Sequence, residues 1–144
     1  MSIIDNEKNL KIKLSDIQTI GMSFNKIKSD DSITSNYNIL LNLTHDVLLE
    51  DNTVIVSLEI KVVDSSSQSD ICDSTLKFAY IIENLNDFLI SDNGEKGLEP
   101  SLSSLINGVS ISTARGIVFM QSQSYQMKNI ILPIFDLSKL QKKH

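Results

Sequence analysis

Apolar and polar residues alternate with a period of two through the first half of the chain. In Leu10-Lys11-Ile12-Lys13-Leu14 the apolar residues are separated by lysines, and after a break at Asp16 the same parity resumes at Ile20, Met22 and Phe24. A second run places Tyr37, Ile39, Leu41, Leu43, Val47 and Leu49 on one parity, with Asn38, Asn42, Thr44, Asp46 and Glu50 between them. Val54, Val56, Leu58, Ile60 and Val62 alternate with Thr53, Ser57, Glu59 and Lys61; Leu76, Phe78, Tyr80 and Ile82 alternate with Thr75, Lys77 and Glu83. Successive strand side chains point to opposite faces, so these runs predict four strands, over 10–24, 36–49, 53–64 and 74–84, each with one buried face. A sheet wetted on one side is antiparallel far more often than parallel. Glu50-Asp51-Asn52 is a short polar link that joins the second and third strands as a hairpin, and Ser65 to Asp70 is a polar loop before the fourth. The connection from Asn25 to Asn36 is longer than a tight hairpin and is expected to cross the sheet or one of its edges.

After Ile90 the pattern changes. Ser91 to Gly97 reads as a loop, and Pro100 suits the first turn of a helix. Leu102, Leu105, Ile106 and Val109 follow helical spacing, with Ile117 and Met120 extending the stripe. Asn107-Gly108 is also a good hairpin turn and Val109 to Thr113 a fair strand, so the residues alone leave this segment open between helix and strand. Pro133 interrupts an apolar run from Ile130 to Phe135. Asp136 is placed to cap a short last helix over 137–142, whose lysines suit a helix C-terminus.

Composition narrows the classes. With 41% hydrophobic and 22% charged residues, the 144-residue chain is neither disordered nor fibrous, and 1–144 is read as a single domain. Isoleucine and leucine dominate, and alanine occurs only at Ala79 and Ala114, which favours sheet over helical bundle. The 13 basic residues against 18 acidic ones leave a net charge of −5, with no long-range pull on nucleic acid or anionic lipid. The lone Cys72 cannot form an internal disulfide, and with two histidines it is too little for an ordinary structural zinc site. No apolar run approaches the ~18–20 residues needed to cross a bilayer. Met1 to Glu7 lack the basic and apolar regions of a secretory signal, so a soluble, cytoplasmic protein is expected. No Ser/His/Asp or Cys/His arrangement has a recognisable context, so no enzyme activity and no cofactor are expected. His45, on the apolar parity of its strand, reads as a partly buried sheet residue without a visible partner; Cys72, at a strand start, reads as a small hydrophobe.

The most informative stretch runs from Leu105 to Met120 and is followed, after a spacer, by Leu132-Pro133-Ile134-Phe135-Asp136-Leu137. It resembles the SecB export chaperones, particularly their divergent SecB-like members. Thr113-Ala114-Arg115 matches the aromatic-or-Thr, Ala, Arg step of that family's long helix, and Leu132-Pro133 its later Leu-Pro step. Phe135-Asp136-Leu137 matches the start of its short helix, and Ser124-Tyr125 falls where the family often has a small residue and Phe. There are departures: Tyr125-Gln126-Met127-Lys128 replaces a Phe-Pro-Pro-Leu type segment, and Lys139, Lys142 and Lys143 make basic a final helix that is usually longer and more acidic.

The resemblance implies an α+β fold: a four-stranded antiparallel sheet, a crossover between its first two strands, a long helix and a short C-terminal helix. It tips 101–123 towards helix. It implies an ATP-independent holding chaperone for unfolded or extended segments, associated with protein export and assembled as a tetramer, a dimer of dimers. The implied groove lies along the crossover and the terminal helix, which here supply Met22, Phe24, Ile27, Ile33, Tyr37, Phe135, Leu137 and Leu140. Met22, Phe24 and Tyr37 fit plain core equally well, since they lie on the inward parity. Arg115, the only arginine, reads as a planar fork fixing a helix or subunit contact. Ile111 and Phe119, off the main stripe, are expected at an interface between subunits. The implied partners are unfolded clients together with the export motor or an antitoxin. Two other readings stand beside this one: a dedicated chaperone of a single partner such as an antitoxin, and a small-ligand-binding α+β domain. The last requires an inward polar pair, for which His45 is the one candidate.

Overall fold

The computed structural model describes residues 10–25 and 37–124. Four long strands, β1 (Ile12–Phe24), β2 (Tyr37–Leu48), β3 (Thr53–Asp64) and β4 (Asp70–Ile82), are followed by two short ones, β5 (Leu89–Asp92) and β6 (Glu95–Leu98), and by one helix, α1 (Pro100–Ser124). The long strands form one antiparallel sheet in the order β1-β4-β3-β2. This is the α+β architecture expected from the alternation of period two followed by helical spacing, and Asn107-Gly108 lies within the helix. The expected helix at 137–142 lies outside the described residues.

The centre of the sheet forms the core. On β3, Val54, Val56, Leu58, Ile60 and Val62 are buried on the face turned to α1; on β4, Tyr80, Phe78, Leu76, Ser74 and Cys72 lie opposite them in that order, and Ile82 is buried beyond. Burying a run of β-branched and leucine side chains on one parity is what fixes the register, because a slip of one residue would turn every one of them to water. β2 and β3 meet at a one-turn 3₁₀ helix, Leu49–Asp51, closed by Asn52 in the left-handed region at φ 51°. β4 begins four residues earlier than expected, at Asp70, because the ladder continues past a bulge at Val62/Val63. β1 and β2 are the two outer strands, so their connection links opposite edges, three strand spacings or about 14 Å apart.

Three expectations require correction. The segment 91–97 is a hairpin rather than a plain loop: β5 and β6 pair around Asn93 (φ 53°) and Gly94 (φ 84°), the left-handed pair that a two-residue type I′ turn demands. β1 does not keep one parity beyond Asp16. Register shifts at Leu14/Asp16 and Thr19/Gly21 turn Ile17 to the position opposite Phe78 and leave Ile20 55% exposed, before Met22 and Phe24 return to the inner face.

The third concerns α1. Its buried row is Leu102, Ile106, Ser110, Ala114, Val118 and Ser122, flanked by Asn107 and Ile111; Leu105, Val109 and Met120 face outward. Each step of four residues moves about 40° around an ideal helix, so the row winds around α1 along its length. A stripe drawn at one fixed angle therefore mixes buried with exposed positions. Ile111, expected on a second apolar face, is only 4% exposed and belongs to the core.

Candidate functional site

Two rows of side chains cross the helix-facing side of the sheet at the end where β1 finishes and β2 starts. One is Phe24-Cys72-Val62-Ile39 and the next Met22-Ser74-Ile60-Leu41. Cys72, Val62, Ser74 and Ile60 are buried, whereas Met22, Phe24, Ile39 and Leu41 are half-buried and pack against the core from its two edges. Tyr37, opposite Asp64, completes the rim and is also half-buried. The structure thus places Met22, Phe24 and Tyr37 on one face and at one end, but on opposite edges with a buried, mostly apolar floor between them. Ile27 and Ile33 belong to 26–36 and Phe135, Leu137 and Leu140 to 125–144, all outside the described residues.

The groups around this floor are not set up for covalent chemistry. Burial pushes the Cys72 thiol up to about 11, only partly offset by the Ser74 hydroxyl, so the thiolate nucleophile is absent at neutral pH. Asp64 closes the loop after β3: its carboxylate accepts from the Ser67 backbone N–H and from the Ser66 and Ser67 hydroxyls at 2.9–3.0 Å. These bonds favour the ionised form and hold its carboxyl below the ordinary value.

At the other end, side chains tie α1 to the sheet. The Tyr80 hydroxyl donates to the Ile106 carbonyl at 3.3 Å and lies 2.7 Å from Ser110 Oγ, which donates to it in turn. His45 Nε2 donates to Asn107 Oδ1 at 2.8 Å, joining β2 to the helix. His45 is thus exposed rather than partly buried as expected, and its partner, which sequence reading missed, is the buried Asn107. The helical stripe read from Leu102, Leu105, Ile106 and Val109 leaves Asn107 off the buried face, whereas the structure places it on the side turned to the sheet. The pair is engaged in strand–helix contact, and among the described residues no cluster of three His, Cys, Asp or Glu could hold a metal.

The outward side of α1 carries a shallow depression lined by Ser104, Leu105, Gly108, Val109, Ser112 and Thr113. Leu105 and Val109 are 41% and 37% exposed, and Met120 further along is 61% exposed. Arg115 and Phe119 are half-buried on the flanks of the helix. Among the described residues no helix is long and apolar enough to cross a membrane.

No protein-family model matches the chain, and no curated protein sequence matches it. Among solved structures, it is similar to the SecB-like chaperone Rv1957 of Mycobacterium tuberculosis in complex with a ChAD peptide from the Rv1956 HigA1 antitoxin. The TM-score is 0.60 over 87% of this chain and 88% of that one, at 9% sequence identity. The likeness at that identity is one of fold: a four-stranded antiparallel sheet with a long helix, arranged as in a SecB-like chaperone.

Proposed function

We propose that this protein is an ATP-independent holding chaperone that binds unfolded or extended polypeptide segments. The observation that carries the reading is the half-covered end of the inner sheet face: Met22, Phe24 and Tyr37 form an apolar rim around a buried floor, on a fold shared with a SecB-like chaperone. Holding needs no bond chemistry. It needs apolar surface that a folded protein cannot reach and an unfolded one can, and flexible methionine and aromatic side chains let such a surface accept many sequences. In this reading Ile27 and Ile33, and Phe135, Leu137 and Leu140, which lie outside the described residues, also contact the client. Cytoplasmic work in protein export, with the export motor as a partner, is the setting of this reading.

Assembly is part of it. Leu105, Val109 and Met120 on the outward side of α1 are covered when copies pack helix to helix, with Phe119 and Arg115 on the flanks of that contact. The proposed particle is a tetramer, a dimer of dimers. The direct test is light scattering of reduced insulin: aggregation of the B chain is expected to be suppressed at stoichiometric amounts without ATP. Aggregation at an unchanged rate would overturn the reading.

A second reading, a chaperone dedicated to a single partner such as an antitoxin, is supported by the antitoxin peptide held by the structural neighbour. It predicts that one partner segment is bound tightly while unfolded proteins in general are not.

A further inference from the structure

The two edges of the sheet are protected very differently. An outer strand presents every second backbone N–H and C=O to solvent, a template that proteins blunt with bulges, lysines or proline. β1 is blunted: two bulges break its ladder, Lys11 and Lys13 stand at its start, and Asp16 sits at the first bulge. β2 is not. Its ladder with β3 runs without a register shift from Tyr37↔Asp64 to Leu48↔Thr53, it contains no proline, lysine or arginine, and Asp46 is its only charged residue. Among the described residues nothing pairs with its outer edge.

Its side chains are unfinished in the same direction. Ile39, Leu41, Leu43 and Val47 are half-buried, while their β3 partners Val62, Ile60, Leu58 and Val54 are fully buried, so the core stops at β2 for want of a neighbour. On the outer face Leu40 is 57% exposed. A strand laid beside β2 would cover the first group with its inward side chains and Leu40 with an outward one.

We propose that the free edge of β2 takes an extended segment of an unfolded chain as a fifth strand, through main-chain hydrogen bonds that are indifferent to sequence. This rests on the holding-chaperone reading and adds to it the mode of capture. Area favours a flexible segment over a second folded copy. A ribbon of twelve residues is about 40 Å long and about 10 Å wide, so each partner contributes about 400 Å², half of what a standard stable interface needs. That suits an occupant held and released.

The probe is a fluorescein-labelled ten-residue peptide alternating valine with glutamine, its binding read by fluorescence anisotropy. Two further versions carry N-methyl groups on the valines or on the glutamines. Strand pairing uses only one of these two sets of N–H groups. One methylated peptide should therefore lose about tenfold or more in affinity, for two or three lost bonds, while the other binds as the parent does. Leu40→Glu, whose carboxylate would face Lys61 across the ladder and so spare the fold, should weaken the parent peptide as well. Equal binding of both methylated peptides, or no binding of the parent, overturns the proposal. So does a Leu40→Glu variant that shrinks the particle in light scattering without changing peptide affinity, which would assign the edge to a second copy. Insulin assays on the wild-type protein separate the two levels. Suppressed aggregation with a failed peptide test refutes only strand capture, whereas unsuppressed aggregation refutes the chaperone reading itself.

Discussion

The contact between Tyr80 and Ser110 offers a quantitative test of how α1 is held on the sheet. Both side chains are buried, at 2% and 0% exposure, and their hydroxyls are 2.7 Å apart. Tyr80→Phe removes one hydroxyl from a dry site and with it the bond to the Ile106 carbonyl. Ser110 then has an alternative, since it lies four residues after Ile106 and can bond back to that carbonyl. The loss should therefore be about 1–1.5 kcal/mol rather than the larger penalty of a stranded buried donor. Ser110→Ala leaves Tyr80 its bond to Ile106 and should cost about 1 kcal/mol. The double variant should cost little more than either single one, giving a coupling energy of about 1 kcal/mol. Urea unfolding followed by circular dichroism measures all four proteins, and each kilocalorie corresponds to a Tm shift of roughly 2–4 °C at this chain length. Strictly additive losses would show that the two hydroxyls contribute independently and do not depend on one another.

The remaining predictions address other parts of the molecule. Cys72, buried and with its thiol pushed up to about 11, should resist alkylation by iodoacetamide in the native protein and react once urea unfolds it. Asp64 has a folded pKa below its ordinary 3.8, so its contribution to stability is complete above that value and disappears as pH falls through the lower folded one. Asp64→Asn should accordingly lower Tm at neutral pH, and the gap to wild type should close in acid. Val109→Asp, on the outward side of α1, should reduce particle mass in light scattering while circular dichroism stays native. Replacing Ile27 and Ile33 together by Ser should weaken client binding at unchanged Tm, whereas Leu58→Ser, in the middle of the buried parity, should cost about 3–5 kcal/mol and unfold much of the protein.

What could be read from the sequence follows from which forces are local. β2, β3 and β4 were legible because a strand buried on one face must alternate, and Val54 to Val62 do so without interruption. β1 was only half legible: its bulges change parity twice, and nothing in Ser15-Asp16 or Ile20-Gly21 says by itself that the ladder shifts there. The hairpin at Asn93-Gly94 was visible in its turn residues but hidden by the polar composition of its four-residue strands. The helix face is only partly legible because its buried row drifts around α1, and its position is decided by what the helix packs on, a property of the assembled fold rather than of residues 100–124. For the same reason the arrangement of the candidate groove residues is only partly legible. Inward parity puts Met22, Phe24 and Tyr37 on the inner face, where the structure has them, but their separation across the sheet depends on the strand order β1-β4-β3-β2, which alternation does not encode. The His45–Asn107 bond joins residues 62 positions apart and had no local signal at all.

The central claim is that the protein holds unfolded chains without chemistry. Size-exclusion chromatography with light scattering, on the protein mixed with reduced carboxymethylated α-lactalbumin and no nucleotide, tests it most directly. A coeluting particle whose mass equals the protein assembly plus client is the predicted result; separate elution of the two at every mixing ratio would contradict it.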